Sequence, residues 1–299
     1  MTPDPSPFKA DCSEASLNFN EKVLANFGYD VEKVIDAQGD SVIAHGKEFR
    51  PTHVLGPLLH DHPYWKAFEQ LSTSGAKCEF KELSENQRKE DLEQAIERGN
   101  HKSAASRPDL LQSLVDDDIV HGYQAPMPIR SSRLIVNGVL VPCGISDQDS
   151  INELGEIISK NRLTHDQSFD FSEKNSVNNR LIRDNLPELR YGSCLQHILH
   201  YIHALRFSNP HVPIVIGKID FKSACRRQSM CGWLAAMTLT IVGSFALLSF
   251  RLPFGGAYCP FHWCLVSEFI CDFANALLRC EHWDASSLDF ACKEKNTSP

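Results

Sequence analysis

The chain has 299 residues, 42% hydrophobic and 23% charged, with 16 Gly and 16 Pro; this suits an ordinary globular protein of about two domains and excludes a collagen-like or disordered chain. Its formal net charge of −8 argues against a protein whose whole surface grips nucleic acid, because neutralising phosphate needs a basic footprint. Eleven cysteines, odd in number and without close paired spacing, fit a reduced intracellular compartment, cytoplasm or nucleus, better than a secreted scaffold.

Met1 to Pro7 has neither a basic stretch nor an apolar run, so no secretory signal is expected. From there to about residue 75, Pro, Gly and short apolar runs alternate without a clear period, and the segment reads as a loosely structured lead-in. Ser84-x-x-Gln87 has capping-box form, Leu92, Ala95 and Ile96 share a face, and Gly99 ends the run, which predicts a charged surface helix over 84–98. Pro108 opens a second helix through Leu111, Leu114 and Val115 into Asp116-Asp117-Asp118; such a charge run reads first as a solvated helix end and only second as a metal site. Asn137-Gly138, flanked by β-branched residues, predicts a β-hairpin over 134–141. Residues 151–168 follow as a short helix and a strand at Arg162–His165.

An amphipathic helix is expected over 193–206, with Leu195, Ile198, Leu199, Ile202 and Leu205 on one side. His197, His200 and His203 on that helix have no carboxylate or cysteine at matching spacing, so a solvent-facing or packed role is favoured over a metal site. Net charge is uneven: residues 171–230 hold nine Lys and Arg against four Asp and Glu, whereas 79–97 hold three against seven. Any nucleic-acid contact therefore belongs to the second half. Residues 229–250 carry no charge, and their length alone would suit a membrane anchor. Against an anchor stand Gly232, Gly243 and six polar residues.

Two segments carry chemistry. In Ile214-Val215-Ile216-Gly217-Lys218-Ile219-Asp220-Phe221-Lys222-Ser223-Ala224-Cys225-Arg226, a β-branched run ends in one aspartate and a polar turn. Magnesium held mostly by substrate phosphates takes one or two protein carboxylates, yet taken alone this is an ordinary strand end. In Leu252-Pro253-Phe254-Gly255-Gly256-Ala257-Tyr258-Cys259-Pro260, paired glycines allow a tight turn before a helix over 265–278. Cys259, His262, Cys264 and Cys271 follow no standard zinc spacing and read as core cysteines.

Together, and in this order, these segments resemble the first and second palm motifs of reverse transcriptases. Upstream, Arg162-Leu163-Thr164-His165-Asp166, followed by Ser176-Val177-Asn178, resembles the fingers motif of the same family. The resemblance covers about residues 125–285 and is nearest to retrotransposon enzymes. It implies an α+β fold, a partial right-hand polymerase with fingers and an incomplete palm over 126–299, behind a mostly helical N-terminal region, 1–125.

The parent activity it implies is RNA-directed DNA synthesis, a nucleotidyl transfer using Mg2+, RNA or an RNA/DNA hybrid, and deoxynucleotides. By the same resemblance Asp220 is the catalytic and metal-binding residue, the Phe221 carbonyl assists it, and Arg162 meets the nucleotide triphosphate. Phe254 and Gly255 lie beneath the nucleotide, and Cys225 occupies the gate against the ribose 2′-hydroxyl. Three departures qualify it. Cys225 replaces the usual Tyr or Phe, Ser168 stands where relatives place a second arginine, and no Tyr-x-Asp-Asp motif follows residue 264. Val115-Asp116-Asp117 is the one run resembling that motif, placed before the first as in a permuted palm. The expectation is therefore a truncated fragment, inactive as it stands and weak in metal binding. The alternatives are a non-catalytic nucleic-acid-binding remnant or a protein anchored through 229–250.

Overall fold

The computed structural model describes residues 6–152, 154–187, 189, 194–216, 221 and 224–282. Four helices, α1 (Glu14–Asn26), α2 (Val31–Asp36), α3 (Thr52–Leu59) and α4 (Trp65–Ser74), open the chain. The expected loose lead-in is thus helical. Its signals were local caps: Ser13 Oγ accepts the Ser16 amide at 3.3 Å and Asp30 Oδ1 accepts that of Lys33 at 3.3 Å, each meeting a donor that a helix start leaves open.

Then come β1 (Glu79–Phe80), α5 (Glu85–Arg98), α6 (Lys102–Ala105), α7 (Pro108–Val120), β2 (Gln124–Pro128), β3 (Cys143–Ile151), β4 (Ile157–His165), α8 (Val177–Arg180), β5 (Leu181–Ile182) and α9 (Cys194–Ser208). A 3-10 turn at Ala224–Arg227, α10 (Gly232–Ala236), β6 (Thr240–Val242), β7 (Phe245–Ser249) and α11 (Cys259–Leu278) complete the described chain. At 45% helix and 16% strand the fold is α+β.

Helices α5 and α7 form where the sequence places them. Ser84 Oγ accepts the Gln87 amide at 3.2 Å, but the Gln87 side chain turns forward to Asp91 at 3.0 Å instead of closing the capping box. Pro108 occupies the first turn of α7, where its missing N–H costs nothing, and Leu111, Val115 and Ile119 face inward.

The expected Asn137-Gly138 hairpin does not form. Asn137 has the positive φ of 59° that such a turn needs, but both flanks pair elsewhere. The Val136 amide donates to Tyr29 O at 3.1 Å, and those of Val139 and Val141 donate to Ala236 O at 2.9 Å and Leu239 O at 2.8 Å. The short helix expected within 151–168 is also absent. β3 and β4 form one antiparallel hairpin in register from Cys143↔His165 to Ile151↔Ile157, so the strand at Arg162–His165 is the end of a longer one.

The central sheet runs β2-β7-β6, all antiparallel. Asn20 Nδ2 donates to Pro126 O of β2 at 2.8 Å, and Asn100 Nδ2 donates to Ile241 O of β6 at 2.7 Å. Because β7 already has a partner on each side, it offers no free edge to the β-branched run that begins at Ile214. Residues 214–216 form no strand, and 217–219 lie outside the described residues.

Residues 229–250 are not a span. They form α10 and the β6–β7 hairpin, turned by Gly243 at φ 56°. Most of their apolar side chains, Met230, Leu234, Leu239, Leu247 and Phe250 among them, lie in the core. Among the described residues no helix is long and apolar enough to cross a membrane.

One main core joins the two ends of the chain: Leu24, Val34 and Phe68 pack in the same cluster as Leu234, Leu252, Tyr258 and Phe269. The boundary expected between residues 125 and 126 falls inside β2. A Cβ on Gly232 would stand 2.2 Å from the Glu32 amide nitrogen, so only glycine lets α10 lie against α2. α11 begins at Cys259, earlier than the expected 265. Its Val266 and Phe269 are buried, with Phe269 against Phe68 of α4, while Ile270 and Phe273 remain exposed; the helix packs on α4 and the 224–227 turn.

Candidate functional site

The last residue of β4 meets the Pro-Phe-Gly-Gly loop directly. The His165 amide donates to Phe254 O at 2.9 Å, so the loop continues the hydrogen bonding of the strand end. Gly255 follows at φ 132°, and a Cβ there would stand 1.9 Å from His165 O. No other residue permits both this backbone conformation and this approach.

Asn178, the second residue of α8, clamps the loop from the other side. Its amide donates to Gln167 O at 2.9 Å, while Nδ2 donates to Gly255 O at 3.0 Å and to Ser168 Oγ at 2.9 Å. Its Oδ1 accepts the Ala257 amide at 2.7 Å. The segment is held at its base as well, since Asp166 Oδ2 pairs with His101 Nε2 at 2.9 Å and the Asp166 amide donates to Pro142 O at 2.8 Å.

Beneath the loop the side chains are buried. His165 is 3% exposed and its two ring nitrogens have no hydrogen-bond partner. Burial, with Arg226 nearby, lowers its pKa to about 3, so the imidazole is neutral. Gln167 and the Tyr258 hydroxyl are buried beside it, and burial pushes the Tyr258 pKa well up.

The turn at Ala224–Arg227 is tied in through Arg226. Its Nη1 donates to Ser249 Oγ at 2.9 Å and Arg251 O at 3.3 Å, and Nη2 pairs with the Asp118 carboxylate. Asp118 thus ends α7 as an ion-pair partner of this turn. Asp116 accepts from Gln112 Nε2 at 2.6 Å. The aspartate run is spread over two faces and two partners, and no hairpin places it as a permuted palm motif would.

Of the site residues expected from sequence, Asp220 lies outside the described residues. Phe254 and Gly255 join the end of the strand that carries Arg162, which is exposed opposite Ser146. Cys225 is partly buried against the main core, and that burial raises its thiol pKa. Phe221 stands apart from Phe254 in its contacts: its ring meets Trp263 of α11 edge-on, with centroids 5.5 Å apart. His165, Gln167, Tyr258 and the Asp118–Arg226 pair were not foreseen as parts of the site. Their spacing in sequence, up to 108 residues, leaves no local pattern to read.

Among the described residues no three His, Cys, Asp or Glu side chains gather as metal ligands. Cys259 and Cys264 are buried, and Cys271 is exposed. His262 Nε2 faces Cys78 Sγ at 3.3 Å, and burial lowers its pKa to about 4. Comparison of the chain with family models, with curated proteins and with solved structures finds no match in any of the three.

Proposed function

We propose that this chain is a reverse-transcriptase-like protein, of fingers and palm type, that holds nucleic acid without extending it. The observation that supports the reading most is the junction of the fingers-type strand end with the Pro-Phe-Gly-Gly loop, through His165 and Phe254 and through the Asn178 clamp. Two segments that resemble separate motifs of one enzyme family, roughly ninety residues apart in sequence, stand side by side. The chemistry of the exposed groups agrees. The Arg162 guanidinium suits phosphate, which it grips bidentately. The Phe254 ring, 55% exposed, offers a stacking face to a base. Cys225 in place of an aromatic gate predicts poor discrimination between ribose and deoxyribose.

The magnesium ions of the family do not fit the described donors. Asp118 is taken by Arg226, and among the described residues, which do not include Asp220, no carboxylate set gathers near the loop. Two divalent ions held close together need several anionic ligands to offset their repulsion, so no polymerisation step is assigned to this chain.

Fluorescence anisotropy with a labelled RNA/DNA hybrid tests the proposal. Binding is expected to weaken steeply with salt, and Lys160→Ala with Arg162→Ala should flatten that salt slope by about one unit for each phosphate no longer neutralised. Binding that is indifferent to salt or to both substitutions would refute it. Primer extension with Mg2+ or Mn2+ should be absent from the wild type and from Asp220→Asn alike; extension that Asp220→Asn abolishes would restore the polymerase.

A further inference from the structure

Helix α9 is the one long element of the described chain whose apolar side is left uncovered. Its residues 195–208 are exposed, Ile202 alone being half-buried. Leu195 is 70%, Ile198 51%, Leu199 49% and Leu205 39% exposed. No other element of the fold packs closely on it, so these side chains meet water where a globular protein would normally bury them.

Their spacing is specific. Leu195, Ile198, Ile202 and Leu205 are separated by three, four and three residues, the alternation that keeps a seam facing a partner helix, with Leu199 beside it. At 3.6 residues per turn, His197 and His200 fall on the opposite side, and His203 flanks the seam next to Leu199.

We propose that this seam is a self-association surface and that its partner is α9 of a second copy of the chain. Charge selects this occupant. Helix α9 contains no Asp or Glu, and Arg206 is its only fixed charge, so the seam offers neither an acidic nor a basic partner anything to pair with. An anionic lipid surface or a nucleic acid is further disfavoured because α9 brings only one fixed cation, Arg206, to meet it. A second α9 brings an equally uncharged, equally spaced row, and a two-fold arrangement makes the patch complementary to itself.

The exposed seam side chains amount to roughly 400–500 Å² per copy, hence about 1,000 Å² over the pair, the lower bound for a specific interface. The dimer is accordingly a weak, reversible one.

Sedimentation equilibrium of the full chain, from about 1 to about 300 µM so as to bracket a weak dimer of this area, should show a reversible monomer–dimer transition. Ile198→Glu combined with Ile202→Glu should shift the midpoint upward at least about tenfold by burying charge in the seam, whereas His200→Glu on the far side should leave it in place. Because α9 supports no other element, far-UV circular dichroism and the unfolding midpoint should be unchanged in all three proteins. A wild type that stays monomeric throughout, or a dimer indifferent to the double substitution, overturns the proposal. So does co-sedimentation with phosphatidylserine vesicles that the double substitution abolishes, which would assign the seam to a lipid surface.

Discussion

At the scale of single residues the loop junction depends on two side chains, one absent and one present. Gly255→Ala sets a methyl group against His165 O in a backbone conformation that alanine resists, and should destabilise the protein by about 3 kcal/mol or more, read from the urea midpoint. Asn178→Ala removes three side-chain hydrogen bonds, with an expected loss of about 2–3 kcal/mol. The buried imidazoles set the acid limit. His165 and His262 are held at about 3 and about 4 by burial, so the fold keeps them neutral while the unfolded chain protonates them below about pH 6.5. Stability is therefore full above pH 6.5 and falls as pH drops from there toward 4, by up to about 1.4 kcal/mol per pH unit for each group. Urea unfolding measured between pH 7 and 4.5 checks this, and His262→Gln should make the fall shallower.

Among the elements, legibility followed the range of the forces that form them. α5 and α7 were readable because a cap, a stop and an apolar period lie within one stretch, and Ser84→Ala should cost α5 about 1 kcal/mol in thermal unfolding. The 134–141 hairpin failed because Tyr29, Ala236 and Leu239 compete for its backbone, and distant partners of this kind leave no trace in local spacing. The β6–β7 hairpin was readable in principle from Gly243-Ser244 between apolar runs, but the absence of charge over 229–250 drew attention to a span. One long-range tie holds a loop to the sheet: Glu48 pairs with Arg251 and accepts the Ser229 amide, with the two side chains 8% and 3% exposed. Glu48→Gln leaves the guanidinium buried without its counter-charge and should cost about 3–5 kcal/mol, whereas replacing both residues should cost less than the single change.

For the whole molecule, the α+β class was legible, while the helical character of the first 75 residues was not, since its helices are short and stabilised by packing more than by their own sequence. That packing reaches across the chain. Val31, Val34, Ile35, Trp65 and Phe68 share a core with α10 and α11, so a fragment of residues 126–299 should lack a cooperative unfolding transition and be digested rapidly by trypsin, in contrast to the full chain. A stable, protease-resistant fragment would mean that the two halves fold separately.

The central sheet is also closed at both margins. On β2, Pro126 and Pro128 have no N–H to offer, and Asn20 occupies the Pro126 carbonyl; on β6, Asn100 occupies the Ile241 carbonyl and binds the Cys143 amide at 2.8 Å. The outer rims of a three-stranded sheet are where a foreign strand would dock and begin a fibre. Here two asparagines and two prolines act as stoppers, so the sheet is finished at three strands, and replacing either asparagine by alanine should raise the rate of thioflavin-positive aggregation before it lowers thermal stability much.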